Sequence, residues 1–315
     1  MDILEKIQKM SPKILVVGDI MLDRFIFGNV ERISPEAPVP VVRSIKEKYS
    51  LGGCGNVLRN LINLGIDASV VSLVGKDHAG KKIIDELTNK GLSSKRILES
   101  QSIQTTEKMR IIAQGQQLVR LDWDAKNLDV KDYNNVLKQI HKDIQHVNAI
   151  IISDYNKGLC EKHILKDTIS KAKELQIPVF VDPKGKNWNK YWGAYMITPN
   201  LKEAEDVIGR SLVNDEDIEN AGIEICNNLN LEACIITKGH KGMSYISKNI
   251  KFHVESEAKE IYDVSGAGDT VIASLAAGIV VGSAPETVIR FANKAAGIVV
   301  GHIGTTAITI SELKG

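Results

Sequence analysis

Asp263-Val-Ser-Gly266-Ala267-Gly268-Asp269-Thr270 carries the most chemistry per residue in this chain. Two glycines two apart are followed at once by a carboxylate, then by an apolar run from Val271 to Val281. That pattern predicts a loop entering a helix. Gly266 and Gly268 can take backbone conformations closed to other residues and put no side chain in a ligand's way. Their N–H groups, with the first unpaired N–H groups of the helix, would make an anion pocket. Asp269 is then either a helix cap or a base aimed at whatever the pocket holds. For G-x-G-D alone, a capped helix after a tight turn is the plainer reading.

Other residues of the right type stand at the ends of predicted elements. Gly52-Gly53-Cys54-Gly55-Asn56 opens a helical pattern (Val57, Leu58, Leu61, Ile62, Leu64) that stops at Gly65, a suitable residue beyond a helix end. Asp19 and Asp23 follow the apolar strand pattern that begins at Lys13, where open α/β sheets place ligand contacts or where plain turn aspartates sit. Asn200-Leu201-Lys202-Glu203 begins another helix. Asn200 can cap it while Glu203 completes a capping box, and the same helix end can also serve a phosphate. Lys108 and Arg110 have one strand parity, so they share either a solvated face or a cationic patch.

The elements that must position these residues form a repeating rhythm. Helix 131–146 precedes strand 149–154, helix 161–175 precedes strand 178–183, and helix 215–228 precedes strand 233–239. Strands alternating with helices imply a mainly parallel sheet covered on both faces, an α/β fold. Five predicted strands end in polar residues: Asp19, Asp154, Asp182, Thr198-Pro-Asn200 and Thr237-Lys238. Five such ends along one sheet suggest a single long crevice. Pro35, Pro38 and Pro40 exclude a central strand or helix between residues 32 and 42. The flanking alternation reads as a small β lid over about 25–50, and 104–122 reads as a hairpin that adds to it. No linker divides the 315 residues, so one domain spanning 1–315 is expected.

Composition narrows the function. Apolar residues at 43% are enough for a core, and charged residues at 25% are ordinary for a soluble protein. A formal charge of +1 gives no global pull toward nucleic acid or an anionic membrane. The four cysteines are scattered, with no metal or redox spacing, which suits reduced thiols. Residues 1–10 lack a signal-peptide core, and Val271 to Val281 is too short to span a bilayer, so a cytoplasmic protein is expected.

Gly52-Gly53-x-x-Asn56, Asn200-x-x-Glu203, Thr237-Lys238-Gly239-x-x-Gly242 and Asp263-Val-Ser-Gly-Ala-Gly-Asp269-Thr occur in the order and spacing of one family. Over essentially its full length the chain resembles the ribokinase-like (PfkB) sugar kinases. Five further stretches are most similar to the D-glycero-β-D-manno-heptose 7-phosphate kinases of lipopolysaccharide-core synthesis. They are Val17-Gly-Asp-Ile-Met-Leu-Asp23-Arg, Arg32-Ile-Ser-Pro-Glu-Ala-Pro-Val-Pro-Val, Gln116-Gln-Leu-Val-Arg-Leu-Asp122, Ser153-Asp-Tyr-Asn-Lys-Gly158 and Val181-Asp-Pro-Lys-Gly185. One departure is Cys54-Gly55, where two alanines are expected. That kinase is often fused to an adenylyltransferase; a chain ending at Gly315 is expected to be the kinase alone or the kinase half.

The resemblance implies a ribokinase fold, ATP and Mg²⁺ as cosubstrates, phosphorylation of the anomeric C1 hydroxyl, and a homodimer in which the β lids meet. It further implies Asp269 as base, with Gly266, Ala267 and Gly268 as an anion hole. For ATP it implies Asn200, Leu201, Lys202, Glu203, Lys238, Gly239, Gly242 and Asn293, with Glu203 acting on Mg²⁺ through water. For the sugar phosphate the candidates are Asp19, Asp23, Gly53 and Asn56 at hydroxyls, and Lys108, Arg110, Lys157 and Lys184 at the phosphate. A monovalent cation beside the Asp263 loop stays open. Two rival readings remain, a related kinase for another sugar phosphate and a catalytically silent sugar-binding protein on the same fold. No G-x-G-x-x-G follows the first strand, which argues against a dinucleotide-dependent dehydrogenase.

Overall fold

In the computed structural model, residues 2–124, 128–258, 260–302 and 304–314 are described. Helix α1 (Ile3–Met10) leads into β1 (Lys13–Gly18). The chain leaves as a long hairpin, β2 (Ile20–Ile33) and β3 (Pro40–Gly53). It returns through α2 (Cys54–Asn63), β4 (Asp67–Gly75), α3 (His78–Asn89) and β5 (Ile97–Ser100), then forms a second hairpin, β6 (Glu107–Ala113) and β7 (Gln116–Trp123). A regular alternation follows: α4 (Val130–Asp143), β8 (Ala149–Ser153), α5 (Lys162–Glu174), β9 (Val179–Asp182), β10 (Met196–Ile197), α6 (Leu201–Ile208), α7 (Asp215–Leu229) and β11 (Ala233–Thr237). Strands β12 (Met243–Ser247) and β13 (Lys251–Val254) precede α8 (Ala267–Val280), α9 (Pro285–Val299) and α10 (Ile310–Lys314).

Nine strands make one sheet in the order β13-β12-β11-β10-β9-β8-β1-β4-β5, parallel except for the antiparallel pairings of β12 and β13. Its strands are apolar along their length because both faces are covered. In β1, Ile14 and Val16 join the cluster under α1, α2, α3, α8 and α9, while Leu15 and Val17 join the one under α4, α5 and α7. The five polar strand ends lie on the contiguous strands β11-β10-β9-β8-β1, so they line one edge of one sheet, as the sequence suggested.

The other four strands form a separate sheet, order β3-β2-β6-β7. This is the expected lid, but pairing already begins at Ile20↔Gly53, so the lid grows directly out of β1 and runs straight into α2. The prolines sit at the hairpin tip, where the last pair is Ile33↔Pro40. Sequence reading missed α1, whose Ile3, Leu4 and Ile7 pack into the core, and the short edge strand β5. Among the described residues, no helix is long and apolar enough to cross a membrane.

Candidate active site

Asp269 lies in the first turn of α8, 2% exposed, below the loop that opens that helix. Asn56 Nδ2 donates to its Oδ2 at 2.8 Å and the Tyr155 hydroxyl donates to its Oδ1 at 2.9 Å. Burial raises its pKa to about 6 against these two hydrogen bonds; Asp23 adds to the rise and Lys108 opposes it. The N-cap is Gly266, at φ 84°, and makes no side-chain cap, so Asp269 is not the cap of its helix. A Cβ on Gly266 would stand 2.7 Å from Asn56 Nδ2 and 3.0 Å from Thr305 Cγ2. Asn60 ties the region together: its Oδ1 accepts from Thr270 Oγ1 and from the Ile308 N–H, and its Nδ2 donates to the Asn56 carbonyl.

Two clefts meet at this loop. One, of about 140 Å³, is lined by Gly239, Gly242, Ala267, Gly268 and Asn293 among other residues. It has the apolar floor and few polar groups typical of a small-ligand pocket. The other, of about 620 Å³, lies between the inner face of the lid and the segment Tyr262–Ser265, and is lined in part by Phe25, Lys48, Arg110, Arg120 and Thr305. Lys48 and Arg120 were not singled out from the sequence; their parity with Arg110 becomes visible only once the strands are paired, as in Arg110↔Arg120.

The structure brings several of the expected residues to the lid side of the crevice or to its helix ends. Asp23 is buried and receives Arg110 Nη1 at 2.6 Å, while the Arg110 guanidinium stacks over Phe25. Lys108 lies over the Tyr155 ring at 5.7 Å, on the same face as Arg110. Gly53 sits at φ 58°, ψ −136°, a conformation that leaves no room for a side chain because a Cβ would run into the Asp19 carbonyl. Asn200 and Glu203 form a complete capping box, and Glu203 Oε1 also receives Lys184 Nζ at 2.7 Å.

Others do not fall there. Both Asp19 carboxylate oxygens accept from backbone N–H groups, of Tyr155 and Lys157 on Oδ2 and Leu159 on Oδ1, so Asp19 anchors a loop. Lys184 sits on the Glu203 side of the crevice, away from the lid cleft, and Lys157 Nζ is paired with Asp124 at 2.6 Å. Lys238 turns its ammonium to Asp215 at 3.1 Å, while its neighbours Thr237 and Gly239 line the smaller cleft. Leu201 packs against the core, and Lys202 points to solvent beside Asp206. Sequence reading also missed Tyr155, Asn60 and Lys190, whose ammonium is buried against Asp154. Asn60 was findable, four residues from Asn56 on one helix face.

Three carboxyl groups, of Asp182, Glu203 and Asp269, influence one another at this end of the crevice. Burial, then Asp269 and Glu203, push the Asp182 carboxyl well above the usual carboxylate range. A raised carboxyl holds its proton, and Lys184 balances Glu203 at 2.7 Å.

Residues 11–312 match the family described as pfkB family carbohydrate kinase. Among curated relatives, the Bifunctional protein HldE of Sulfurimonas denitrificans is 38% identical over 98% of this chain and 65% of its own length. That of Vibrio parahaemolyticus is 40% identical over 96% of this chain and 63% of its own. The chain thus spans less than two thirds of the length of these relatives. Among solved structures, phosphofructokinase-2 from Escherichia coli in complex with potassium superposes with a TM-score of 0.81 at 19% identity, covering 96% of this chain and 97% of the other. Arabidopsis thaliana ribokinase complexed with ribose and ATP gives 0.76 at 20% identity, covering 97% and 98%. At such identities the likeness is one of fold.

Proposed function

The chain belongs to the pfkB family of carbohydrate kinases, and from that membership we propose that it transfers the γ-phosphoryl group of ATP to the C1 hydroxyl of D-glycero-β-D-manno-heptose 7-phosphate. The products are the 1,7-bisphosphate and ADP. The observation that carries the reading is Asp269, buried and held by two donors, directly after the loop at which an adenine-sized cleft and a cation-lined cleft meet. The choice of sugar is supported by the heptose-kinase-like stretches and by the relatives named HldE.

Phosphoryl transfer asks for positioning and charge stabilisation more than covalent help. The sugar's C1 hydroxyl lies against Asp269, which takes its proton as the oxygen attacks the γ-phosphorus and the bond to the ADP oxygen breaks. The Gly268 N–H at the start of α8, joined by that of Ala267 once it leaves the Val264 carbonyl 3.3 Å away, stabilises the charge that shifts onto the transferring group. Gly239, Gly242 and Asn293 flank the nucleotide. Asn200 presents its helix end to the phosphates. Glu203 would hold hydrated Mg²⁺ through water, and that ion supplies charge neutralisation at the phosphates. Arg110, with Lys48 on the same wall, receives the 7-phosphate, while Asp23 fixes Arg110 from behind and Asp122 holds the neighbouring Arg120. A monovalent cation beside the Asp263 loop belongs to the same proposal. Its action would be on loop position, because the Asp263 carboxylate already accepts from Ser265 and Gly304 N–H groups.

The test is coupled ADP release from Mg-ATP with heptose 7-phosphate, fructose 6-phosphate and ribose, with NMR assignment of the phosphorylated carbon. Heptose 7-phosphate should give the highest kcat/KM, modified at C1, and folded Asp269→Asn should lose about 10²–10⁴ in kcat. Faster turnover of another sugar overturns the substrate. Near-normal turnover by folded Asp269→Asn overturns the base.

A further inference from the structure

We infer that Tyr155 is a positioning residue for the catalytic carboxylate, and that Asp19 holds Tyr155 in place by gripping the backbone of its loop. The inference rests on reading Asp269 as the base.

Asp269 has one fixed donor on each oxygen, the Asn56 amide from α2 on Oδ2 and the Tyr155 phenol from the loop after β8 on Oδ1. Two donors on opposite oxygens fix the rotation of the carboxylate plane, and each oxygen keeps a lone pair for a substrate hydroxyl. Both donors are neutral, so they orient the carboxylate without neutralising it. The phenol stays a donor, because burial and the neighbouring Asp269 push its own pKa well up.

The loop that presents Tyr155 is itself fastened. Tyr155 and Lys157 N–H groups donate to Asp19 Oδ2 at 2.9 and 3.1 Å, and Leu159 N–H donates to Oδ1 at 3.1 Å. Asn156, at φ 56°, turns the chain within this span, and its N–H is held by Asp154 Oδ1 at 2.7 Å. Three backbone bonds to one buried carboxylate at the end of β1 leave the loop little freedom. Lys108 covers the phenol ring from the lid side. A line of contacts therefore runs from β1 through the loop to the base on α8, with no demand that Asp19 touch the sugar.

Tyr155→Phe keeps the ring and all three backbone bonds and removes one hydrogen bond. The other groups facing Asp269 are Asp23 from β2, Lys108 from β6, Asp182 from β9, and Arg59 and Cys54 from α2. All are unchanged in this variant. A lost bond to the charged form should raise the proton affinity of Asp269. The acid limb of kcat/KM should move up by about one pH unit, and kcat should fall by about tenfold with KM for the sugar little changed. In substrate-free protein, the ¹³C carboxyl resonance that Asp269→Asn removes should titrate about one unit higher in Tyr155→Phe. That titration needs no sugar, so it separates this inference from the kinase reading. A wild type that phosphorylates no sugar, alongside a shifted titration, rejects only the latter. Unchanged kcat and titration overturn the inference, as does a kcat loss without a titration shift. For Asp19→Asn, a loss that does not add to that of Tyr155→Phe in the double variant supports the chain of contacts, and additive losses sink the Asp19 link. If Asp19→Asn does not fold, ring-intact Tyr155→Phe decides alone.

Discussion

A carboxylate is a stronger base near neutral pH when its affinity for a proton is raised without its geometry being lost. Asp269 meets both conditions: burial lifts its pKa to about 6, and two neutral donors hold it. A base must be unprotonated to act, so kcat/KM of the free enzyme should be flat above that range and fall as pH drops through about 6. A pH–rate profile with saturating Mg-ATP checks this, and an acid limb at the ordinary aspartate value would mean that the side chain is hydrated in solution. Asp269 was legible from its spacing behind Gly266 and Gly268. Asp19 was legible as a strand-end carboxylate, but its three backbone partners were not, since a sequence shows where a strand stops and not which groups its last carboxylate meets.

At the element scale, the loop-to-helix junction at Gly266 ties the two clefts to the base. Its φ of 84° and the 2.7 Å approach of Asn56 to a notional Cβ predict a specific failure for Gly266→Ala. The left-handed conformation costs about 1–2 kcal/mol for a residue with a Cβ. That lowers Tm by about 2–4 °C per kcal/mol in a domain of this class. Activity should suffer more than stability, because the added methyl displaces Asn56 from Asp269. Calorimetry beside turnover measures both, and a Tm loss with unchanged kcat would show that Asn56 can give way harmlessly. The helices and strands that set this junction were readable from periodicity and caps; α1 and β5 were too short for their patterns to stand out.

For the whole molecule, the outer face of the lid bears on assembly. Strand pairing puts Ile26, Ile111 and Val119 in one row and Met109 beside Leu121 in the next, and Val119 and Leu121 are 43% and 42% exposed. The inner face carries Arg110 and Arg120 toward the cleft, so the two faces divide binding from contact. A homodimer through the lid would cover these rows. The native protein should then run as a dimer in light scattering, and Val119→Asp as a monomer of normal fold. A native monomer at micromolar concentration would reject the lid interface.

By itself the sequence determined the alternating α/β order, the polar strand ends, the lid segments and the glycine loop that opens α8, because each depends on residues near one another in the chain. Tertiary structure alone decided which cations face which cleft, that Lys184, Lys157 and Lys238 are already paired, and that Tyr155 reaches Asp269 from 114 residues away. The physical reason is that a charge's role depends on its partner. Partners here are chosen by sheet order and strand register, which bring the ends of β1, β8 and β9 and the start of α8 to one point.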